Sequence, residues 1–243
     1  MTPSSLGYQD FVAVIAIQFV WYCLVSILRG TASSFFRRLA IGALAGIPIG
    51  VAFDIAIGQA ASIFHYSGLE LHGSFLILNS IFSYGLAVAT VLSMRVGDTP
   101  PQVSGRWAIA LGGTCLAVLL SIPLALGNLS AAVAMLLAGA LILALTEAAA
   151  AAVGRQGYIC QLAFGRGVPA AQILTFSALT GLVYELANHF FPLWVWTNQV
   201  PTPTGNLILI VLFGYFVLFI PIFTIAGVAR SYRRKSSLTD RLI

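Results

Sequence analysis

The chain has 243 residues, of which 59% are hydrophobic and only 8% are charged, with a net charge of +5. A soluble domain carries about 25% charged residues, so this composition excludes an ordinary soluble protein and indicates an integral membrane protein. The positive charges lie in short loops between apolar runs and give no indication of nucleic-acid binding.

The cysteines and the start of the chain exclude two further features. Cys23, Cys115 and Cys160 form no spaced pair, so we predict neither a disulfide nor a cysteine-based metal site. Residues 1–9 contain no Lys or Arg and lack the basic region of a cleavable signal peptide. We therefore expect the first apolar run to remain in the mature protein as a span.

Long apolar runs follow one another along the whole chain. A helix needs about 20 apolar residues to cross the roughly 30 Å of membrane hydrocarbon. The runs that meet this requirement are 9–28, 39–61, 72–94, 107–127, 130–153, 168–190 and 206–229. We predict an all-α polytopic membrane protein, a single membrane domain with seven transmembrane helices and its two ends on opposite sides.

The basic residues indicate the orientation of these spans. All twelve fall in alternate loops or in the tail, on one predicted side: Arg29, Arg37, Arg38, Arg95, Arg106, Arg155, Arg166, Arg230, Arg233, Arg234, Lys235 and Arg241. Because basic residues mark cytoplasmic loops, we predict an outside N-terminus and a cytoplasmic C-terminus in a bacterial inner (plasma) membrane. The tail, residues 230–243, is expected at the anionic surface of the inner leaflet.

An internal repeat links two distant parts of the chain. The heptapeptides GVAFDIA, at residues 50–56, and GLVYELA, at residues 181–187, are similar and align Asp54 with Glu185. Each is followed by an aromatic pair, a glycine and a second aromatic pair. These pairs are Phe64/Tyr66 and Phe82/Tyr84 in the first copy, and Trp194/Trp196 and Phe213/Tyr215 in the second. Such a repeat constrains the architecture.

The repeat predicts how the spans are arranged. Its copies lie on spans two and three and on spans six and seven, and both pairs run outward and then back. We predict two parallel repeats, at about 8–94 and about 130–229, joined by a connecting helix at about 107–127. This plan of three, one and three spans occurs where an axis along the membrane normal relates the halves, and we expect a functional site at their interface.

Three acids are embedded in the predicted spans, Asp54, Glu147 and Glu185, and no Lys or Arg is embedded beside them. An embedded acid costs about 2.5–3.5 kcal/mol on insertion scales and marks a candidate functional site. We expect these carboxyls to stay protonated or to hydrogen-bond neutral partners, because loss of water disfavours the charged form. Glu147, near the inner end of its span, is expected to extend toward the cytoplasmic face.

Asp54 and Glu185 are the candidate catalytic residues. Both lie in the outer half of their spans, and we predict that they converge on one polar pocket below an outer belt of aromatic residues. The candidate substrate-binding residues are His65, Tyr66, Asn79, Tyr84, Tyr184, Asn188, His189, Trp194, Trp196 and Tyr215, with His72 as a further wall residue. The alternative is a buried hydrogen-bond network that only joins the two half-bundles.

Other site classes have little support in the sequence. The three histidines, His65, His72 and His189, are irregularly spaced, so we predict no metal site. The sequence contains no phosphate-binding loop, nucleophile elbow or dinucleotide fingerprint, and no cofactor is predicted. Small residues are dense at residues 42–46 and suit close helix packing.

This layout resembles the membrane-integral lycopene cyclases, which are built from two related three-helix halves and, in the fused forms, have seven spans. Each cyclase half carries an acid in its second helix and then an aromatic-x-aromatic element. Asp54 with residues 64–66, and Glu185 with residues 194–196, are similar to that element. The cyclases also carry a Pro-x-Glu-Glu element in the third helix of each half, whereas residues 77–82 and 208–213 here contain no acid.

The resemblance implies an intramembrane cyclase or isomerase that acts on a long isoprenoid or carotenoid-like lipid. Asp54 or Glu185 would protonate an alkene, and aromatic faces would stabilise the resulting cation. Two alternatives remain open. One is a small-molecule transporter with the three-one-three plan of the SWEET-type sugar carriers. The other is a non-catalytic membrane subunit that binds the helices of membrane protein partners.

The predicted topology can be tested by labelling in intact cells. In a variant without the native cysteines, a cysteine at Ser67 or Thr202 should react with a membrane-impermeant maleimide, because both positions lie in predicted outside loops. A cysteine at Ser236, in the predicted cytoplasmic tail, should react only after permeabilisation. If positions 67 and 202 also require permeabilisation, the topology is wrong.

Overall fold

The computed structural model describes residues 5–55, 64–67, 73–94, 105–126, 129, 131–163, 170–196, 215 and 218–228, which are mostly helical. Within these ranges, four helical segments are long and apolar enough to cross a membrane. They are Gly7–Leu28, Ala32–Phe53, Gly73–Ser93 and Arg106–Leu126. These segments are those of a membrane protein with transmembrane helices, as the composition predicts.

The described helices are α1 (Ser5–Leu28), α2 (Phe35–Phe53), α3 (Gly73–Asn79), α4 (Gly85–Ser93), α5 (Arg106–Leu126), α6 (Ala131–Ala152), α7 (Tyr158–Ala163), α8 (Ala170–Phe190) and α9 (Leu218–Val228). A 3₁₀ turn over Ala32–Ser34 precedes α2, and a π-helical turn over Ser80–Tyr84 joins α3 to α4. Two short strands complete the set, β1 (Phe64–Tyr66) and β2 (Trp194–Trp196).

Helix occurs in every predicted span. The four candidate transmembrane segments overlap the first four predicted spans, and α6 and α8 occupy the fifth and sixth. Residues 206–214 of the seventh span, His72, Thr202 and the tail at 230–243 lie outside the described residues. The count of seven spans and the division into two repeats stay predictions.

Some details of the elements differ from the prediction. The second span was expected over 39–61. Its α-helical part is described to Phe53. Asp54 and Ile55 continue it as a π-helical turn, and residues 56–61 lie outside the described residues. The strands β1 and β2 were not expected in an all-α chain. The short helix α7 was not expected either, because it lies between two predicted spans. The strands form because two extended, aromatic segments satisfy each other's backbone groups, which have few other partners at the end of an apolar bundle.

Glycines bring α2 against the helix formed by α3, the π-helical turn and α4. Gly42, Gly46 and Gly50 are all buried on one face of α2. A Cβ built on Gly46 would lie only 2.5 Å from the amide nitrogen of Gly85 and 2.7 Å from its Cα. Backbone therefore meets backbone at this crossing, which is the close packing that small residues favour in membrane helices.

Polar contacts connect α1 to α4 and to α8. Ser26 and Ser93, at the ends of α1 and α4, lie 3.1 Å apart between their hydroxyl oxygens. Trp21 donates its indole N–H to the hydroxyl oxygen of Thr180 on α8, at 3.1 Å. Because of these contacts, α1 lies between α4 and α8.

Arg38 lies at the opposite end of α2 from Asp54. Arg38 donates to the carbonyl oxygen of Thr31 at 2.7 Å, in the turn that joins α1 to α2. The helix between Arg38 and Asp54 spans about 24 Å, at about 1.5 Å per residue. Arg106, at the start of α5, lies close to the turn after α6. A Cβ built on Gly154, next to Arg155, would be 3.6 Å from a guanidinium nitrogen of Arg106.

The glycine contact predicts a matched pair of substitutions. Gly46→Ala places a methyl group against the backbone of Gly85, so it should lower the free energy of unfolding by about 1–3 kcal/mol. Gly112→Ala on α5 is the control, because a Cβ there meets nothing within 4 Å. It should leave stability unchanged or raise it, since Ala favours helix over Gly. Thermal unfolding of the detergent-purified variants measures both, and equal effects would contradict the tight crossing.

Candidate functional site

Asp54 is fully buried and accepts three hydrogen bonds from neutral side chains. Tyr84 and Tyr66 donate their hydroxyls to Oδ1, at 2.6 Å and 3.1 Å, and Asn79 donates its amide to Oδ2 at 3.0 Å. The Asn79 amide also donates to the Tyr66 hydroxyl at 2.7 Å. One carboxyl thus joins the end of α2, the strand β1, α3 and the π-helical turn.

Glu185, on α8, is buried in the same way. Tyr215 donates its hydroxyl to Oε1 at 2.9 Å. Trp194 and Trp196, both on β2, donate their indole N–H groups to Oε1 and Oε2, each at 3.3 Å. An indole N–H can only donate, so this carboxyl is the acceptor that fixes both rings.

The two clusters use corresponding positions of the two sequence copies. Each acid comes four residues after a buried glycine, Gly50 or Gly181, and accepts from a tyrosine 30 residues later in the chain, Tyr84 or Tyr215. A Cβ on Gly50 would lie 2.7 Å from Cδ2 of Tyr84, and one on Gly181 would lie 2.6 Å from Cδ2 of Tyr215. Because glycine has no side chain, each tyrosine ring can lie against the helix while the tyrosine hydroxyl reaches the acid.

The strands β1 and β2 join the two clusters. They pair antiparallel in the register Phe64↔Trp196, His65↔Val195 and Tyr66↔Trp194. The middle pair relates equivalent positions of the two copies, so the strands obey a local two-fold axis that passes between His65 and Val195. Tyr66 on one strand is bound by Asp54, and the tryptophans on the other are bound by Glu185.

A partly open cavity of about 70 Å³ lies between the two acid clusters. All six side chains that donate to the acids are wall residues: Tyr66, Asn79, Tyr84, Trp194, Trp196 and Tyr215. The carboxyls of Asp54 and Glu185 are not part of the wall and lie behind these side chains. A water needs roughly 10–15 Å³ by this measure, so the cavity has room for several waters or for one end of a larger molecule.

Three of the predicted binding residues are not in the cavity wall. Asn188 holds β2 in place instead, because its amide accepts from the N–H of Trp194 at 2.8 Å and donates to the Trp194 carbonyl at 2.9 Å. His65 is exposed on β1, and His189 is exposed in the last turn of α8. His189 was predicted to bind the substrate, but it is exposed at the end of α8 and lies outside the core.

Tyr184, also a predicted binding residue, is buried and lines the cavity. Two other polar residues of the wall do not follow from the sequence pattern, Gln18 on α1 and Ser83 in the π-helical turn. Gln18 is fully buried and donates its amide to the Ser83 hydroxyl at 3.1 Å. A glutamine inside the first apolar run is the signal that identifies this position.

Glu147 has a different role from the one expected. Its carboxyl accepts the backbone N–H groups of Ile159, at 2.9 Å, and Cys160, at 3.1 Å. These belong to the first turn of α7, whose N–H groups have no partner within the helix. A Cβ on Gly157 would overlap with the carboxyl. Glu147 therefore caps a helix that was not predicted, rather than simply extending toward water.

The described residues include no group of three or more His, Cys, Asp or Glu side chains suited to a metal ion. Comparison with models of known protein families, with curated proteins and with solved structures found no match for this chain. The geometry of the cavity and its two acids is therefore the basis for a functional proposal.

Proposed function

We propose that this chain is an intramembrane cyclase or isomerase that binds one end of a long isoprenoid or carotenoid-like lipid in the aromatic cavity. One observation carries the proposal: the six side chains held by two buried acids form the wall of a single cavity. A hydrogen-bond network that only joined two half-bundles would not need to leave such a cavity between them.

The surroundings of the cavity favour a positively charged intermediate. Five of the six held side chains are aromatic, and aromatic faces attract cations. Two buried carboxyls lie directly behind them, while Arg38 lies at the far end of α2 from Asp54. Low polarity strengthens each of these electrostatic effects, so positive charge on a ligand would be stabilised here.

Tyr84 and Tyr215 are the groups that would contact the reacting double bond. With Glu185 protonated, its carboxylic O–H donates to the oxygen of Tyr215, which reverses the resting hydrogen bond and turns the tyrosine proton toward the cavity. The carboxyl then gives its proton to that oxygen while the hydroxyl proton of Tyr215 passes to one alkene carbon. The π electrons form the new C–H bond and leave a cation on the other carbon. A neighbouring double bond attacks that cation in a cyclase. Loss of a proton, returned through the tyrosine to the carboxylate, then forms the new double bond and restores the acid.

The proposed roles of the acids therefore differ from the sequence-based hypothesis. Asp54 and Glu185 orient the tyrosines and tryptophans and supply or recover the proton, but they do not contact the ligand. The Pro-x-Glu-Glu acids of the cyclases have no counterpart in this chain. The pairs Asp54–Tyr84 and Glu185–Tyr215 are proposed to carry the proton instead.

The proposal includes the arrangement in the membrane. The matching glycine, acid and tyrosine positions and the local two-fold axis of β1 and β2 support two parallel three-helix repeats with α5 as the connector. The basic turn at Arg38 lies far from Asp54, which supports placing the cavity in the outer half of a bacterial inner membrane, with the N-terminus outside.

A non-catalytic subunit that binds the helices of membrane partners is the second candidate. The apolar stretches of α5 and of Ala32–Phe53 are only 11% and 17% buried, compared with 61% for Gly73–Ser93. Membrane lipid covers such faces in a lone chain, and a partner helix would pack on one of them in a complex. Purification with a stoichiometric membrane subunit, together with an inactive cavity, would support this candidate instead.

Replacement of the acids by amides tests the enzymatic proposal. Asp54→Asn and Glu185→Gln keep size but remove the transferable proton, so each should abolish formation of a cyclised or isomerised pigment in a host that accumulates lycopene. The folded yield should stay near that of the wild type, whereas Asp54→Leu and Glu185→Leu should lower stability by about 1–3 kcal/mol, because buried donors lose their acceptor.

Glu147→Gln is the matched control, because Glu147 caps α7 and is not a wall residue of the cavity. It should leave product formation intact. Pigment extraction with chromatography measures the product, and gel filtration measures the folded yield. Wild-type protein that leaves the pigment unchanged, or a Glu185→Gln variant with full activity, would contradict the proposal.

A further inference from the structure

We infer that the cavity binds a permanently charged organic cation, a quaternary ammonium group held among its aromatic rings. The ligand class is a compound with a trimethylammonium group and no adjoining phosphate. The inference rests on the cavity of the proposed function but not on the proton chemistry, since this ligand carries its charge before it binds.

The wall of the cavity is mainly aromatic. Eight of its thirteen described residues are Phe, Tyr or Trp, and they come from both copies of the repeat. Phe64 on β1 and Trp196 on β2 lie side by side, with 5.6 Å between their ring centroids. A cation is attracted to an aromatic face within about 6 Å of the ring centroid, so a charged group in this cavity can interact with several rings at once.

The neighbouring rings of the wall are inclined to one another rather than stacked. The plane of Phe64 is inclined at 90° to that of Tyr66 and at 67° to that of Trp196. The rings of Tyr184 and Tyr215 are inclined at 87°. Rings at such angles face different directions and enclose a compact, rounded group. A trimethylammonium group has this shape, and a cavity with room for several waters has space for its nitrogen and methyl groups.

No basic side chain of the segments that form the described wall competes with a cationic ligand for the two acids. These segments are residues 1–28, 39–94 and 167–229, and they contain no Lys or Arg. The carboxyls of Asp54 and Glu185 lie behind the wall and accept hydrogen bonds from neutral side chains. A cation therefore complements the site, and low polarity strengthens its attraction to the acids. A phosphate would find no basic residue of these segments to bind it.

A quaternary ammonium group suits this wall better than a primary one. A primary ammonium has three N–H donors, and they lose their hydrogen bonds to water when the group enters a largely apolar cavity. The carboxyl oxygens are not part of the wall and do not replace that water. A trimethylammonium group has no N–H, and its methyl groups can contact rings such as Trp194 and apolar side chains such as Leu218.

The test compares four water-soluble probes by isothermal titration calorimetry on the detergent-purified full chain. Choline carries the trimethylammonium group, and 3,3-dimethylbutan-1-ol is its neutral isostere with carbon in place of nitrogen. Ethanolamine carries a primary ammonium, and phosphocholine adds a phosphate to choline. Choline should bind at least about fivefold more tightly than each of the other three, because only choline brings a methylated cation without a phosphate.

Two matched variants test the contact with the rings. Phe64 and Phe75 are both buried, and both pack edge-on against Tyr66, at 5.5 Å and 4.9 Å between centroids. Of these two phenylalanines, only Phe64 is a wall residue. Phe64→Leu keeps an apolar side chain but removes the ring, so it should weaken choline binding about threefold or more and leave binding of the neutral isostere nearly unchanged.

Phe75→Leu is the control. It should lower thermal stability as Phe64→Leu does, because both changes remove a ring from the same core, but it should not change the affinity for choline. A loss of binding that is confined to Phe64→Leu and to the charged probe would therefore not reflect unfolding. Equal losses of choline and isostere in Phe64→Leu would show packing alone and would contradict the cation contact.

The outcomes separate this inference from the proposed reaction. Equal affinity for choline and its isostere, or no binding of choline, would overturn the inference even if the protein converts lycopene. Ethanolamine or phosphocholine binding as tightly as choline would overturn the ligand class. Selective binding of choline by a protein that leaves lycopene unchanged would uphold the inference and contradict the cyclase proposal.

Discussion

A carboxyl group removed from water needs hydrogen-bond donors to replace that water, or its burial is strongly unfavourable. Asp54 and Glu185 meet this need with hydroxyl, amide and indole groups rather than with basic residues. These donors come from segments that are far apart in the chain. Satisfying the two acids therefore brings together the end of α2, the strand pair and the π-helical turn, and much of the described fold near the cavity depends on it.

The same interactions determine what the cavity presents to a ligand. Because the polar edges of the tyrosines and tryptophans point back to the acids, the remaining ring surfaces are left to form the wall. The glycines Gly50 and Gly181 make this possible, since each lets a tyrosine ring lie against its helix. The result is an apolar, aromatic site with the carboxyl groups of Asp54 and Glu185 behind its wall.

The sequence predicted the acids and most of their partners, because the repeat places similar residue types at nearly the same spacing after each acid. Tyr66, Tyr84, Trp194, Trp196 and Tyr215 all follow from that spacing. The pairing of β1 with β2 was not predictable, since it depends on a contact between opposite halves of the chain. The π-helical turn has no propensity signature of its own, and Gln18 lies outside the two repeated segments.

The central claim is that each acid holds a tyrosine in the cavity wall, and a double-mutant cycle tests it most directly. Unfolding free energies of Glu185→Leu, Tyr215→Phe and the double variant are measured in mixed micelles. A direct hydrogen bond predicts a coupling energy of about 0.5–3 kcal/mol, because the second change costs less once the first has removed the partner. Additivity within about 0.5 kcal/mol, as expected for Glu147→Gln combined with Tyr215→Phe, would contradict the account.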